Sequence, residues 1–250
     1  MITCLNCGES FEGNFCPNCG QKSTVQKITV PVLAEETFHF FTHLEKGFLY
    51  TTWNFIIRPG QTSLNYLAGK RKKYQKPISY FLIWTGIYII IHNLVVNHYH
   101  YQLTELSLVA YNLRDHANAL LRKHFTLFLI PLVIVSSLIE YLLLGKPRFN
   151  FPEIVAVSIF GGGTYFMMLL VSDILFGAVL KVDILSTDVF LWQAILSSLY
   201  NFWFSFDFFK RIHLRYFWVR LISGAMLTAL IGWVMLEYLP IAWIQLENLI

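Results

Sequence analysis

The feature that most constrains this chain is a set of apolar runs, each about twenty residues long, with no polar stripe through them. At 1.5 Å per helical residue, a run of that length crosses a hydrocarbon core of about 30 Å. Five runs qualify, at 78–96, 125–144, 154–176, 189–208 and 217–236. Only 14% of the residues are charged, against roughly a quarter in an ordinary soluble domain, so a soluble fold of buried helices is the poorer reading. The expected fold class is an all-α polytopic membrane protein of about five transmembrane helices. Trp84, Trp192, Trp218 and Trp243 fall where headgroups would lie. The first run begins near residue 78, too far along for a cleavable signal, so that span is expected to direct insertion itself.

Basic residues set the expected orientation. If five spans alternate, Arg114, Arg122, Lys123 and Lys181 fall on one side and the other 15 of the 19 lysines and arginines on the opposite side. The positive-inside rule then places the N-terminus in the cytoplasm and residues 237–250 outside, as an interfacial tail.

All four cysteines precede residue 20. Cys4, Cys7, Cys16 and Cys19 form C-x2-C-x8-C-x2-C, each pair followed by glycine. Two residues between thiolates let one tight turn aim both sulfurs at a single ion, and glycine supplies the backbone freedom such a turn requires. Residues 1–21 therefore read as a zinc-ribbon head. Two disulfides are the competing reading, which an oxidising compartment would favour and a cytoplasmic head does not. Four sulfur ligands leave no open coordination position, so the Zn2+ is structural, and it must drive the folding of a segment too small for a core. The head carries Glu9 and Glu12 and no lysine or arginine, which argues against nucleic acid and for a cytoplasmic protein partner.

Residues 22–33 read as a linker. Residues 34–76 then combine an amphipathic helix with a basic juxtamembrane segment. Ala34, Phe38, Phe41, Leu44, Phe48 and Phe55 recur at helical spacing, and Glu35, His39, His43, Lys46 and Asn54 take the other face. Such a helix lies along the headgroups or packs on the membrane domain, and Arg58-Pro59-Gly60 ends it. His39 and His43, with Glu36, share a face suited to a metal but lack a completing ligand. Lys70, Arg71, Lys72, Lys73 and Lys76 make a cationic block against the first span, which anionic headgroups attract by about 1 kcal/mol per residue. A topogenic signal and a specific lipid or phosphate contact are both open to it. Tyr66 and Tyr74 are expected at interface depth.

These residues carry a resemblance. The stretch "GFLYTTWNFIIRPGQTSLNYLAGKRKKYQKPISYF", behind a double C-x2-C-G knuckle, resembles a bacterial membrane-protein family of unknown function. That family has a zinc-ribbon head, an R-P-G turn and a G-K-R-x-x-Y-x-x-P block leading into the first span. Here the matching positions are Arg58, Pro59, Gly60, Gly69, Lys70, Arg71, Tyr74 and Pro77. The resemblance covers about the first 85 residues; it implies a bacterial inner membrane and supplies no chemistry.

Within the membrane domain, 77–236, ionisable groups are costly and therefore functional candidates. Asp173 stands toward the outer part of the third span, and Glu140 about a turn from the cytoplasmic end of the second. Asp207 is at the end of the fourth, and Glu140 and Asp207 are both read as able to snorkel to water. His92 and Asn201 would join Asp173 in a polar interior if their faces converge. Gly161-Gly162-Gly163 permits close helix approach or a break. In 97–124, NHYHY offers His98 and His100 as metal ligands without a fixed partner, and 106–121 has the spacing of an amphipathic cap. Walker, zincin and nucleophile-elbow motifs are absent.

The functional expectation is a non-enzymatic scaffold or regulatory module, its zinc head binding a protein partner at an anionic leaflet. The alternatives are a small transporter or channel with Asp173 on a polar path, and an intramembrane enzyme, which would need His92 or Glu140 beside Asp173. Homo-oligomer formation is compatible with each.

Overall fold

The computed structural model describes residues 1–25, 27–33, 47–103, 125–146, 148–182, 184, 187–212 and 214–247. Hence the amphipathic stretch at 34–46, with His39 and His43, and the cap at 106–121 lie outside the described residues. The chain opens with an antiparallel pair, β1 (Ile2–Thr3) and β2 (Ser10–Phe11), in the register Ile2↔Phe11 and Thr3↔Ser10. Seven α-helices follow among the described residues. They are α1 (Phe48–Ile57), α2 (Pro59–Leu67), α3 (Pro77–Leu103), α4 (Phe125–Glu140), α5 (Phe151–Asp173), α6 (Thr187–Phe209) and α7 (Phe217–Glu247). Wider π-helical turns continue α4 through Gly145 and α5 through Val179.

Among the described residues, three helical stretches are long and apolar enough to cross a membrane: Pro77–His98, Phe151–Val179 and Phe217–Met235. The other two expected intervals are also helical. Pro131–Gly145 is a shorter apolar helix, while α6 has its apolar character diluted by Gln193, Asn201 and Asp207. Much of the outer surface is greasy, as a lipid-facing surface must be: Ile90, Leu94, Leu199, Met226, Leu230 and Trp233 are exposed.

Helices α3 and α5 form the most extensive interface. Gly163 permits it, because a Cβ there would lie 2.6 Å from the Tyr80 ring. The triple glycine thus serves close packing within one unbroken helix. Helix α5 starts with a capping box, in which Asn150 Oδ1 accepts from Glu153 N–H (2.8 Å) and Glu153 Oε2 accepts from Asn150 N–H (2.9 Å).

Helices α1 and α2 do not lie on the bundle as a separate layer. Phe55, Tyr66, Tyr80, Phe160, Phe204 and Phe208 join α1, α2, α3, α5 and α6 in one buried core. Phe55 stacks on Phe160 with centroids 4.6 Å apart, and Tyr66 meets Phe160 edge-on at 5.1 Å. Helix α1 is inverted relative to a soluble helix. Thr51 and Thr52 point inward, whereas Leu49 (77% exposed) and Trp53 (64% exposed) point outward. The inward hydroxyls are needed: Thr51 Oγ1 accepts from Gln75 N–H (2.7 Å), and Thr52 Oγ1 accepts from Trp84 Nε1–H (3.1 Å). The outward face is suited to hydrocarbon.

The R-P-G turn has a specific use. Arg58 ends α1 and Pro59 starts α2 at a position where its missing N–H costs nothing. Gly60 then lies directly on the end of α6, where a Cβ would come within 2.2 Å of the Asp207 carbonyl carbon. The Gly60 N–H, left free at the helix start, donates to Asp207 Oδ2 (2.8 Å). Asp207 is buried, and its Oδ1 meets Lys210 Nζ at 2.7 Å. Its carboxylate therefore caps a helix 147 residues away in sequence, so the expectation that it merely snorkels to water is corrected.

Candidate metal centre and polar cluster

The two knuckles are copies of each other. Cys4 N–H donates to Glu9 O (2.8 Å) and Gly8 N–H to Cys4 O (2.9 Å); in the second copy, Cys16 N–H donates to Gln21 O and Gly20 N–H to Cys16 O, both at 2.8 Å. The β1–β2 pairing has its counterpart in a single bridge, Phe15↔Lys22. Both glycines adopt positive φ, at 83° and 69°, as the motif requires.

The repeats bring the four cysteines together as free thiols with every Sγ within 4.8 Å of the others. Cys4–Cys19 and Cys7–Cys16 sulfurs are each 3.6 Å apart. A zinc ion 2.3 Å from four tetrahedral sulfurs requires edges of about 3.8 Å, so the set fits a metal of that size. Cys4 and Cys16 are buried under Phe11, whereas Cys7 is exposed. The thiols compete for charge. At Cys19 burial acts upward, but the Gln21 backbone N–H, Asn6 and the neighbouring thiols outweigh it and lower the pKa from 9.0 to about 7. At Cys7 the Glu9 backbone acts downward, yet desolvation and the other three sulfurs raise the pKa to about 12. Four thiolates this close are stable together only around a cation.

The head is fastened to the basic loop. Gln21, 6% exposed, donates through Nε2 to Gly69 O (3.0 Å) and accepts at Oε1 from the N–H groups of Arg71 and Lys72, both at 3.2 Å. Leu5 seals the contact, lying so close to Gly69 that a Cβ there would be 2.7 Å from its Cδ1. Part of the expected linker also packs down: Ile28 and Leu33 enter the main core, and Asn150 Nδ2 donates to Ile28 O (3.3 Å). Within the cationic block, Arg71 is partly committed to structure, its guanidinium over the Tyr66 ring and its Nε–H donating to Tyr66 O (3.3 Å). Lys70, Lys72 and Lys73 are exposed, and Lys76 is half-buried.

A second cluster forms between α3, α5 and α6. Asp173 is 1% exposed; its Oδ2 accepts from His92 Nδ1 (2.7 Å) and its Oδ1 from Gln193 Nε2 (2.9 Å). Gln193 Nε2 also donates to Ser172 Oγ (3.2 Å), and the Tyr88 ring lies 5.1 Å from that of His92. Where the Asp173 carboxylate accepts, Nδ1–H of His92 is the donor, and no lysine or arginine lies within ion-pair distance of Asp173 among the described residues. Asp173 stands about 33 Å up the helix from Phe151, a separation comparable to the thickness of a hydrocarbon core, about 30 Å.

Of the sequence candidates, His92 and Asp173 meet. Asn201 does not join them; it is exposed on α6. Glu140 is elsewhere, accepting from Ser205 Oγ (2.8 Å) and Ser158 Oγ (3.3 Å). Sequence reasoning missed Gln193 and Gln21. Gln193 had a weak signal, an amide in an apolar run, and Gln21 had its place directly after the second knuckle. Beside the cluster, a cleft of about 590 Å³ opens between α5 and α6, with Gln193 and Ser172 in its wall.

Residues 45–89 match the model of a family described as a protein of unknown function, DUF3667. The matched segment contains α1, α2, the basic loop and the start of α3, that is, the R-P-G turn and the docking loop for the head. Neither a curated protein nor a solved structure matches the chain.

Proposed function

We propose that this chain is a five-span membrane docking module whose zinc-folded head and basic loop together form one cytoplasmic surface for a protein partner at an anionic leaflet. The observation that carries the reading is the three-bond grip of Gln21 on residues 69–72, which removes the head's freedom to wander. A head so fastened presents Phe15, 62% exposed, on the same assembly as Lys70, Lys72 and Lys73. An acidic partner with an apolar contact residue complements that surface, and the cations hold it close to anionic lipid. The ion is structural Zn2+, and the membrane is the bacterial inner membrane with the N-terminus in the cytoplasm.

The test is a photocrosslinking residue at position 15 in living cells. It should trap a discrete partner, and both Cys16→Ser and Gln21→Leu should abolish the product while the protein stays in the membrane. An unchanged set of products in both variants would sink the proposal. Membrane-impermeant thiol labelling of single cysteines in residues 209–216 and at the C-terminus tests the topology: only the C-terminal position should react from outside.

The 2.7 Å contact between His92 and Asp173 favours a second reading, a proton or solute path through the outer half of the bundle. It predicts a flux in liposomes that Asp173→Asn removes. A wild-type protein that carries no flux above empty liposomes would dismiss it.

A further inference from the structure

The cleft between α5 and α6 has a chemical character of its own. Most of its wall is apolar, including Ile56, Met168, Leu196 and Trp203. Its volume of about 590 Å³ lies within the range of small-ligand sites, roughly 300–1,000 Å³. Along α6 it runs from Gln193 to Trp203, about 15 Å at 1.5 Å per residue, which is the depth of one leaflet in a core of about 30 Å. Its flank is open toward a lipid-facing surface, where Leu191, Ile195, Leu196 and Leu199 are exposed. An extended protein segment would bring backbone N–H and C=O groups into an apolar slot that cannot satisfy them, and a helix, about 10–12 Å across, is too wide for a slot of this volume and length, whereas an alkyl chain meets neither obstacle.

One end is polar and pre-set. Gln193 spends its amide hydrogens on Asp173 Oδ1 and Ser172 Oγ, and because a carboxylate only accepts, the amide cannot be flipped. Its Oε1 accepts no hydrogen bond among the described residues, and the residue lines the cleft. Asp173, itself buried and tied to His92, locks that orientation from behind. The slot thus ends on an oriented acceptor that needs a donor.

We infer that the α5–α6 cleft binds one acyl chain of a bilayer lipid whose head carries an N–H or O–H donor, received by Gln193 Oε1. The inference requires only that the chain sits in a bilayer; it is independent of the head's docking role and of any flux through the His92–Asp173 pair. Gln193 and Ser172 are positioning residues for the lipid head, and Leu196 and Trp203 give the chain its track.

The test uses the full-length protein in vesicles doped with a phosphatidylethanolamine bearing a photoreactive diazirine on one acyl chain. A parallel sample carries the same chain on phosphatidylcholine, whose quaternary nitrogen has no hydrogen to donate. After irradiation, labelled peptides are mapped by mass spectrometry. Peptides covering 164–176 and 193–203 should carry at least fivefold more label than the equally greasy surface of α7 around Met226 and Leu230. The phosphatidylcholine probe should lose most of that excess. Leu196→Trp, which fills the slot, should abolish the excess, while Leu230→Trp should leave it unchanged. Uniform labelling of both surfaces overturns the site, and equal labelling by the two probes overturns the donor recognition. Because these comparisons are made on unmutated protein, misfolding of a variant cannot imitate either result.

Discussion

Removing the Asp207 carboxylate should loosen the seat of α1 and α2 on the end of α6. In Asp207→Ala the buried Gly60 N–H loses a charged acceptor at 2.8 Å, a hydrogen bond worth about 1.5–3 kcal/mol. The start of α2 also loses a favourable negative charge, about 0.3–1 kcal/mol. The ion pair with Lys210, whose side chain is 39% exposed, adds about 0–1 kcal/mol. The expected loss is about 2–5 kcal/mol in all, and at about 2–4 °C per kcal/mol the melting temperature should fall by about 4–20 °C. Asp207→Asn keeps an oxygen for Gly60 and should lose only about a third as much. Gly60→Ala attacks the same contact sterically: a methyl 2.2 Å from a carbonyl carbon forces α2 off α6, with a penalty of about 3 kcal/mol or more. Thermal unfolding in detergent, followed by tryptophan fluorescence, orders the three variants. Hydrogen exchange at residues 60–63 localises the effect. If Asp207→Ala and Asp207→Asn melt together within a degree of the parent, the helix-capping argument is wrong.

Three further outcomes follow from the two sites. Metal analysis should find one zinc per chain, and its affinity should fall throughout acidification, because protons compete at Cys7 from about 12 downward, and more steeply below about 7, where they compete at Cys19 as well; because Cys19 is depressed below its ordinary 9.0, any stability it lends the metal-free head is present above 9.0 and lost as pH falls through about 7. Gln21→Leu should free the head without unfolding it, so that amide exchange at Arg71 and Lys72 accelerates and proteolysis reaches residues 22–33, while zinc content stays at one; unchanged exchange would show that the amide does not fasten the head. His92→Leu strands a buried carboxylate and should cost about 3–5 kcal/mol, whereas adding Asp173→Leu should recover most of it; additive losses in the double variant would mean the pair is not coupled.

Legibility in the sequence followed the range of each interaction. The cysteine cluster could be read because its members lie within two short copies of one turn, and those turns alone direct the sulfurs. The helices could be placed because apolar length is a local property, although α6 carries enough polar residues that its interval is weakly marked. What could not be read was convergence. His92, Asp173, Asn201 and Glu140 are equally conspicuous in an apolar chain, yet only the first two meet, because α3 and α5 are brought together by Gly163 while Glu140 turns toward Ser158 and Ser205. The same holds for Gly60 and Gln21. Each looks like a turn residue locally, and each has its partner far along the chain or across a surface the sequence does not show. The inverted face of α1 is a related case: its inward threonines are explained by Gln75 and Trp84, which belong to the next elements.

The hold of Asp207 on Gly60 also sets a timetable for biogenesis. A ribosome adding about 5–20 residues per second reaches Asp207 roughly 7 to 30 s after Gly60. Throughout that interval the nascent α1–α2 hairpin has neither its seat on α6 nor an acceptor for its leading amide. Its contacts with α3 and α5, among them those of Phe55 and Tyr66 with Phe160, can form earlier, whereas its closure onto the end of α6 comes only after Asp207 has been made.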